Sequence, residues 1–159
     1  GEICIKGDLV TPGYLNNDEA TAEVRQFGWH HTGDIGVMDE DGFITIVDRK
    51  KDMIITGGFN VYPNEIEQVI MELDAVQDCA VIGVPDKKWG ESVKGVLQLK
   101  PNQDISVEQV IAYVKEKLGS VKTPKTIDIV EQLPRSPVGK VIKTELRKKY
   151  WANSNRSVN

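Results

Sequence analysis

Three short clusters along the chain carry side chains that could take part in chemistry. In the first, residues 28–34, Asp34 follows a Thr-Gly pair. A carboxylate at the start of a strand can accept two hydrogen bonds from a vicinal diol such as that of ribose. The same cluster holds His30 and His31, but adjacent side chains of a strand point to opposite faces, which argues against a shared metal ion. Thr-Gly-Asp alone is a weak sign of nucleotide binding.

The second cluster combines the charged run 48–52 with the pair Gly57 and Gly58. One interpretation is a solvated junction of mixed charge. The alternative is a hinge, because a few exposed residues between rigid elements can absorb a rotation. Two glycines also permit close approach of the backbone to a ligand. The residues alone leave both interpretations open.

The third cluster ends in Gly139 and Lys140. Gly-Lys is part of the phosphate-binding P-loop, which needs a glycine five residues before Gly139 and Ser or Thr after the lysine. The chain has Pro134 and Val141 at those positions, so the spacing excludes a P-loop. What remains is a lysine on a loop held by Pro and Gly, which suits contact with an anion as a point charge.

The composition is that of an ordinary globular chain of 159 residues, with 20 basic and 24 acidic side chains and a net charge of −4. No apolar run approaches the ~20 residues of a membrane span, and the first residues do not resemble a signal peptide. We expect a cytoplasmic protein with at most peripheral membrane contact and no nucleic-acid partner. Cys4 and Cys79 lie in apolar runs without a CxxC motif or a neighbouring histidine, which predicts buried thiols and no metal site.

The charge is distributed unevenly about Asp48. Residues 1–48 contain two basic and ten acidic residues, a net charge of −8, whereas residues 49–159 contain 18 basic and 14 acidic residues, a net charge of +4. Such a step indicates two parts with different partners. The first part opens directly in a strand pattern, and a short strand needs neighbours. We therefore expect residues 1–48 to be the β-rich end of a larger domain.

Hydrophobic periodicity and turn residues predict the elements that position these clusters. An Asp-Gly turn at 39–42 predicts a hairpin, and apolar residues at i, i+3, i+4 and i+7 predict a helix that opens at Tyr62 and Pro63. Ser106 and Gln109 form a capping box for a second helix that we expect to end at Gly119. The other predicted elements are strands near residues 2–6, 53–55, 78–84, 92–99 and 127–130 and helices at 18–24 and 144–151.

The order of the elements after the charge step indicates a small α+β domain with a mixed sheet and helices packed on it. We assign residues 49–51 to the hinge and residues 52–151 to this domain. Residues 152–159 are expected to form a disordered tail.

In order and spacing, the clusters resemble the motifs of the adenylate-forming superfamily, which includes acyl-CoA synthetases, luciferases and peptide-synthetase adenylation domains. Residues 1–15, which run from Gly-Glu-Ile to Gly-Tyr-Leu, and Thr-Gly-Asp at 32–34 are similar to two of its motifs. Residues 48–67 resemble its hinge motif, and residues 133–140 resemble its final, lysine-bearing motif. The chain most resembles bacterial long-chain fatty-acyl-CoA ligases, with Ser136 and Lys143 where many members have Thr and Arg.

The resemblance implies an ATP-dependent reaction in two steps. A carboxylate attacks the α-phosphate of ATP to give acyl-AMP and pyrophosphate, and the thiol of coenzyme A then displaces AMP. In this scheme Asp34 and Arg49 bind the ribose of the nucleotide, and Lys140 bridges the attacking carboxylate and the nucleotide. The implied substrates and cofactors are a fatty acid, ATP, Mg²⁺ and CoA.

The resemblance also implies that the α+β domain is a mobile lid. Lys51 would be the pivot of its rotation, which exchanges Lys140 in the active site for the loop of Gly57 and Gly58, past which pantetheine reaches the acyl-AMP. The lid would work against the N-terminal domain as its partner.

Several parts that this family uses are absent from the 159 residues. The pyrophosphate loop, the acidic residue that helps to place Mg²⁺ and the acyl pocket all precede the first motif. We therefore expect a C-terminal fragment that is inactive alone. The alternatives are an aryl- or short-chain acyl-CoA ligase, a peptide-synthetase adenylation domain, or a non-enzymatic α+β binding module.

Overall fold

The computed structural model describes residues 1–152 and divides the chain into two compact units, the first being Gly1–Lys51 and the second beginning at Asp52. Ala152 lies in a turn, and the rest of the predicted tail lies outside the described residues. Among the helices of the described part, none is long and apolar enough to cross a membrane.

The first unit is an antiparallel sheet with one short helix. Its elements are β1 (Glu2–Ile5), α1 (Asp18–Val24), β2 (Arg25–Gln26), β3 (Trp29–Met38) and β4 (Ile44–Arg49). The central strand β3 pairs antiparallel with β1, β2 and β4. The predicted hairpin between β3 and β4 is confirmed: Asp39 Oδ1 accepts hydrogen bonds from the backbone N–H groups of Asp41 and Phe43, and Gly42 adopts a φ of 87°.

The first unit buries few of its apolar side chains. Within residues 1–51, Ile35 is the one apolar side chain that is buried, at 8% exposure. Five others on the outer half of the β3–β4 hairpin are more than half exposed, namely Val37, Met38, Phe43, Ile44 and Ile46. A sheet of this kind normally packs at least one face on another layer.

The second unit is the predicted α+β domain with a mixed sheet. A 3₁₀ turn at Lys50–Asp52 leads into it. Its elements are β5 (Ile54–Thr56), β6 (Phe59–Val61), α2 (Pro63–Met71), β7 (Val76–Asp86), β8 (Gly90–Leu99), α3 (Val107–Lys122), β9 (Thr126–Val130) and α4 (Lys143–Trp151). Strand β8 pairs antiparallel with β7 and β5 and parallel with β9, and β6 pairs with β5 at the edge.

Helices cover both faces of this sheet, so its two long strands, β7 and β8, are apolar on both sides. Along β7, Val81 belongs to the core that α2 and α3 cover, whereas Ala80 and Ile82 belong to the core that α4 covers. The predicted helix stripe is confirmed, since Ile66, Val69 and Ile70 of α2 are buried. The layering follows directly from the two helical periodicities and the apolar runs of the sequence.

The sequence analysis missed one element. Residues 57 and 58 form the tight turn of a hairpin whose second strand, β6, was not predicted. The second helix shows the predicted capping box of Ser106 and Gln109, and its regular helical backbone stops at Gly119 as expected, where φ is 77°. The residues from Ser120 to Lys122 continue α3 beyond this kink.

Candidate functional site

Asp34 and Arg49 face each other across the end of the β3–β4 hairpin. They are register partners, and Arg49 Nε lies 2.7 Å from Asp34 Oδ1. The preceding residues hold the backbone of Asp34: the Thr32 hydroxyl donates to the carbonyl of Ile3 and accepts from the backbone N–H of Asp34 at 3.1 Å. The Asp34 side chain is 26% exposed and that of Arg49 60% exposed. The hairpin therefore presents an acceptor and a cationic donor side by side, a suitable arrangement for a diol.

A charged network lies beside this pair in the same sheet. Glu2 Oε2 is 2.8 Å from Lys50 Nζ and 2.9 Å from His31 Nδ1. Hydrogen bonds from Lys50 and then His31 hold the pKa of Glu2 below its usual range. The network fixes the junction at Lys50 to the first strand of its own unit.

Cys4 corrects the prediction that neither cysteine has a histidine near it and that both are buried. Strand register places Cys4 opposite His31, with Sγ 3.5 Å from Nδ1, and the Cys4 side chain is half-buried. Glu2, Cys4 and His31 hold their ligand atoms within 4.8 Å of one another. The Lys50 ammonium pairs with the Glu2 oxygen, so this group forms an ion-pair network. With one carboxylate, one thiol and one imidazole, it is not the all-oxygen donor set that Mg²⁺ prefers.

Cys79, in contrast, fulfils the prediction of a buried thiol. It is 6% exposed, and burial, followed by the negative charges of Glu67 and Asp78, raises the pKa of its thiol to about 12. It belongs to the core between β7 and α2 and has no place in a reactive site.

At the predicted hinge, neighbouring residues form ion pairs with partners in different units of the chain. Lys50 pairs with Glu2 of the first unit, whereas Asp52 pairs with Arg147 of the second, at 2.9 Å. The Asp52 and Arg147 side chains are only 14% and 12% exposed, so α4 holds the beginning of the second unit firmly. Lys51 lies between these two anchors and is exposed. The pivot role of Lys51 stays a prediction.

Gly57 and Gly58 are required by the backbone of the β5–β6 hairpin. Their φ values are 57° and 85°, and positive φ at both central positions is the requirement of a type I′ turn. They differ in their surroundings: a Cβ on Gly57 would lie 2.7 Å from Trp89 Cε3, whereas one on Gly58 would meet nothing within 4 Å. Open space therefore lies over Gly58.

Two positively charged side chains lie beside the Trp89 ring that packs on Gly57. Lys88 Nζ and Lys125 Nζ lie 4.6 and 5.0 Å from the ring centroid. The backbone carbonyl of Trp89 accepts a hydrogen bond from the Gly57 N–H at 2.9 Å. No local pattern predicts that Trp89 packs on Gly57, because this contact depends on the pairing of β5 with β8.

Lys140 begins the second arm of a small hairpin. The Ser136 N–H donates to the Lys140 carbonyl and the Gly139 N–H donates to the Ser136 carbonyl, both at 2.8 Å. The three-residue loop ends in Gly139 with a φ of 83°, as in a type I turn followed by a glycine bulge. Ser at the first position, Pro at the second and Gly at the fourth are the sequence signature of that turn, so this hairpin was recognisable.

Helix α4, which follows this hairpin, is tied to the sheet by a buried polar group. Lys94, 7% exposed, donates from Nζ to Asp128 Oδ1 at 2.7 Å, and the Tyr150 hydroxyl donates to the other oxygen of the same carboxylate. Burial alone would raise the pKa of Asp128, but the bonds from Lys94 and Tyr150 outweigh it and hold that pKa below its usual range. Burial and the bond to Asp128 raise the pKa of Tyr150 to about 12.

Part of the chain matches a described protein family. Residues 65–140 match the family described as AMP-binding enzyme C-terminal domain. The chain is 49% identical over 147 residues to a long-chain-fatty-acid–CoA ligase of Salmonella typhimurium, a match that covers 92% of this chain and 26% of the relative. The chain thus spans about a quarter of the length of the curated ligases it matches.

The chain is also similar in fold and sequence to solved structures. A fatty acyl CoA synthetase of Mycobacterium tuberculosis is 45% identical, with a TM-score of 0.69, and the match covers 96% of this chain and 30% of that one. ATP-bound MatB from Rhodopseudomonas palustris is 41% identical, with a TM-score of 0.85, and the match covers 94% and 30%.

Proposed function

Because this chain belongs to the adenylate-forming enzymes that share the AMP-binding enzyme C-terminal domain, we propose that it is the C-terminal part of an ATP-dependent fatty-acid–CoA ligase. In the first step a carboxylate oxygen bonds to the α-phosphorus of ATP, and the bond to the bridging oxygen breaks to release pyrophosphate. In the second step the CoA sulfur bonds to the acyl carbon, its proton is lost, and AMP leaves with the electron pair.

The observation that carries the proposal is the pairing of Asp34 with Arg49 at 2.7 Å. A carboxylate accepts from both hydroxyls of a ribose, while the guanidinium beside it donates to a ribose oxygen. Charge-assisted hydrogen bonds of this kind contribute about 1.5–3 kcal/mol each. We therefore assign Asp34 and Arg49 to the nucleotide.

Lys140 supplies the positive charge that the first step needs. The attacking carboxylate and the phosphates are both anionic, so their approach is opposed by repulsion. A fixed cation at ~4 Å offsets on the order of 4 kcal/mol at an effective dielectric constant of ~20. The two hydrogen bonds that close the hairpin hold the backbone from which this ammonium extends.

The second step uses the Gly57–Gly58 turn. The open space over Gly58 suits the passage of a slender pantetheine chain, and the two ammonium groups around Trp89 suit the phosphates that CoA carries. Lys51, between the anchors at Lys50 and Asp52, is proposed as the pivot that brings this turn into place.

The exposed face of the first unit supports the proposal of a further, N-terminal domain. The apolar side chains on the outer half of the β3–β4 hairpin would be buried by packing on another domain, and this chain spans about a quarter of the length of the ligases it matches. We assign to that domain the pyrophosphate loop, the acyl pocket and the Mg²⁺ ligands, since the three potential metal ligands gathered in the described part do not suit Mg²⁺. The 159 residues alone are then inactive.

The proposal is tested by acid-dependent AMP formation in the full-length protein that contains this sequence. With saturated fatty acids from four to eighteen carbons and with benzoates, we expect turnover that requires CoA and favours the longer fatty acids. A preference for benzoates or short acids would replace the acid class but keep the ligase. The absence of AMP formation with every acid would overturn the proposal.

Asp34→Asn tests the nucleotide assignment in the same protein. We expect kcat/KM for ATP to fall about 10- to 100-fold, as the loss of one charge-assisted bond predicts. The matched control is Asp41→Asn, an exposed aspartate in the turn of the same hairpin, which we expect to leave kcat/KM unchanged. Equal values for Asp34→Asn and Asp41→Asn would contradict the assignment.

A further inference from the structure

Arg135 connects the tip of the Lys140 hairpin to the body of the second unit. Its Nη1 donates to the carbonyl of Gly139 at 2.9 Å, and its Nη2 donates to Asp78 Oδ2 on strand β7. The other oxygen of Asp78 accepts from the backbone N–H of Cys79 at 2.8 Å. Both carboxylate oxygens are thus engaged, and the guanidinium spans the gap between strand β7 and the loop.

The position of this contact is specific. The carbonyl of Gly139 belongs to the peptide unit whose nitrogen is that of Lys140, and the N–H of that unit donates to the Ser136 hydroxyl at 3.1 Å. The peptide before Lys140 is therefore held from both ends, by Arg135 on one side and Ser136 on the other. A rotation of this unit would change the direction in which the Lys140 side chain leaves the backbone.

The hairpin needs such a contact because only its base is packed. Leu133 before it is 1% exposed, and the Ile142 N–H donates to the Pro134 carbonyl at 2.8 Å. At the tip, Val138 is 79% exposed. A lysine side chain already has about 2 kcal/mol of rotamer entropy. If its backbone could rotate as well, the Lys140 ammonium would be spread over a still wider volume.

We propose that Arg135, oriented by Asp78, is a positioning residue that aims Lys140 at the reacting groups during acyl-AMP formation. This inference rests on the proposed function of Lys140. Arg135 is suited to the task because its planar fork donates to two acceptors at once, which the single ammonium of a lysine cannot do with the same geometry. Asp78 also neutralises the guanidinium, so that Arg135 does not compete with Lys140 for the anionic substrates.

The test uses Arg135→Met in the full-length protein and measures the two half-reactions separately. We expect kcat for acid-dependent exchange of pyrophosphate into ATP to fall at least tenfold, since a displacement of about 1 Å can cost up to 10²-fold. The KM for ATP should stay within about twofold. Acyl transfer from supplied acyl-AMP to CoA should be unchanged. Lys117→Met, which breaks an exposed ion pair with Glu72, is the matched control and should leave both half-reactions unchanged.

A double-mutant cycle separates positioning from general damage. If Arg135 acts through Lys140, adding Arg135→Met to Lys140→Ala should cause no further loss of exchange. Asp78→Asn, which keeps the shape of the side chain, should lower exchange in the same direction by a smaller factor, even if Arg135→Met folds poorly. Independent losses in the double mutant, or equal losses in both half-reactions, would overturn the inference. An unchanged exchange rate for Lys140→Ala would instead overturn the proposed function itself.

Discussion

Gly57 and Gly58 offer a direct test of the packing around the β5–β6 turn, because a Cβ atom added at each position meets different surroundings. Each residue has a positive φ, where an L side chain costs about 1–2 kcal/mol. At Gly57 the added Cβ would also lie 2.7 Å from Trp89 Cε3 and 3.1 Å from Cζ3, and overpacking of this kind costs about 1–3 kcal/mol. We therefore expect Gly58→Ala to lower the free energy of unfolding by about 1–2 kcal/mol and Gly57→Ala by about 2–5 kcal/mol.

The assay is urea unfolding of the 159-residue chain, followed by far-ultraviolet circular dichroism. Replacement of Trp89 by Ala supplies the control, because it removes the ring that the new Cβ would strike. In that background the cost of Gly57→Ala should fall to that of Gly58→Ala. If Gly57→Ala is no more destabilising than Gly58→Ala in the natural background, the packing argument is wrong.

The same pair of variants separates stability from function in the full-length protein. If pantetheine passes over Gly58, Gly58→Ala should slow acyl transfer to CoA more than Gly57→Ala does, although it destabilises the fold less. A loss of acyl transfer that simply follows the loss of stability would contradict the assignment of Gly58 to CoA.

Three further predictions follow from the described contacts. The pKa of Tyr150 is raised to about 12 from an ordinary value near 10, so the folded state favours the neutral phenol. The stability that the neutral phenol contributes is complete below pH 10 and is lost as the pH rises towards 12. Urea midpoints at pH 9 and pH 11 should therefore fall more for the natural chain than for Tyr150→Phe, and equal falls would contradict this. Iodoacetamide at pH 8 should modify half-buried Cys4 at least tenfold faster than Cys79, because the buried Cys79 thiol has a pKa of about 12. Peptide mass spectrometry follows the two rates. Similar rates would show that Cys79 is not held in a closed core. Lys51→Pro in the full-length protein should block one half-reaction and spare the other, because proline restricts the backbone of the proposed pivot, whereas equal effects on both would argue against hinge motion.

Local pattern was enough for most of the second unit. The apolar stripe of α2 and the Ser106/Gln109 box of α3 are confirmed because both depend on residues within one or two helical turns. The hairpin of Gly57 and Gly58 was missed although two adjacent glycines are a recognised signal for a type I′ turn. The three-residue strand after it is too short to show periodicity.

The contacts that set up the candidate site depend on pairing between distant segments. Cys4 meets His31 through the register of β1 and β3, and Arg147 meets Asp52 across 95 positions of sequence. Lys94 is buried only because β9 and α4 bring Asp128 and Tyr150 to it. No local pattern fixes strand register or the docking of a helix, so these partners were beyond sequence reasoning, whereas Asp34, Arg49 and Lys140 could be selected from motif and spacing.

The most direct test of the proposed function is the pair of half-reactions catalysed by Lys140→Ala in the full-length protein. If Lys140 neutralises the approach of two anions, acid-dependent exchange of pyrophosphate into ATP should fall by about 10²–10³ or more, while transfer of a supplied acyl-AMP to CoA stays within about threefold of the unmodified protein. Exchange that continues at its full rate without the Lys140 ammonium would contradict the account.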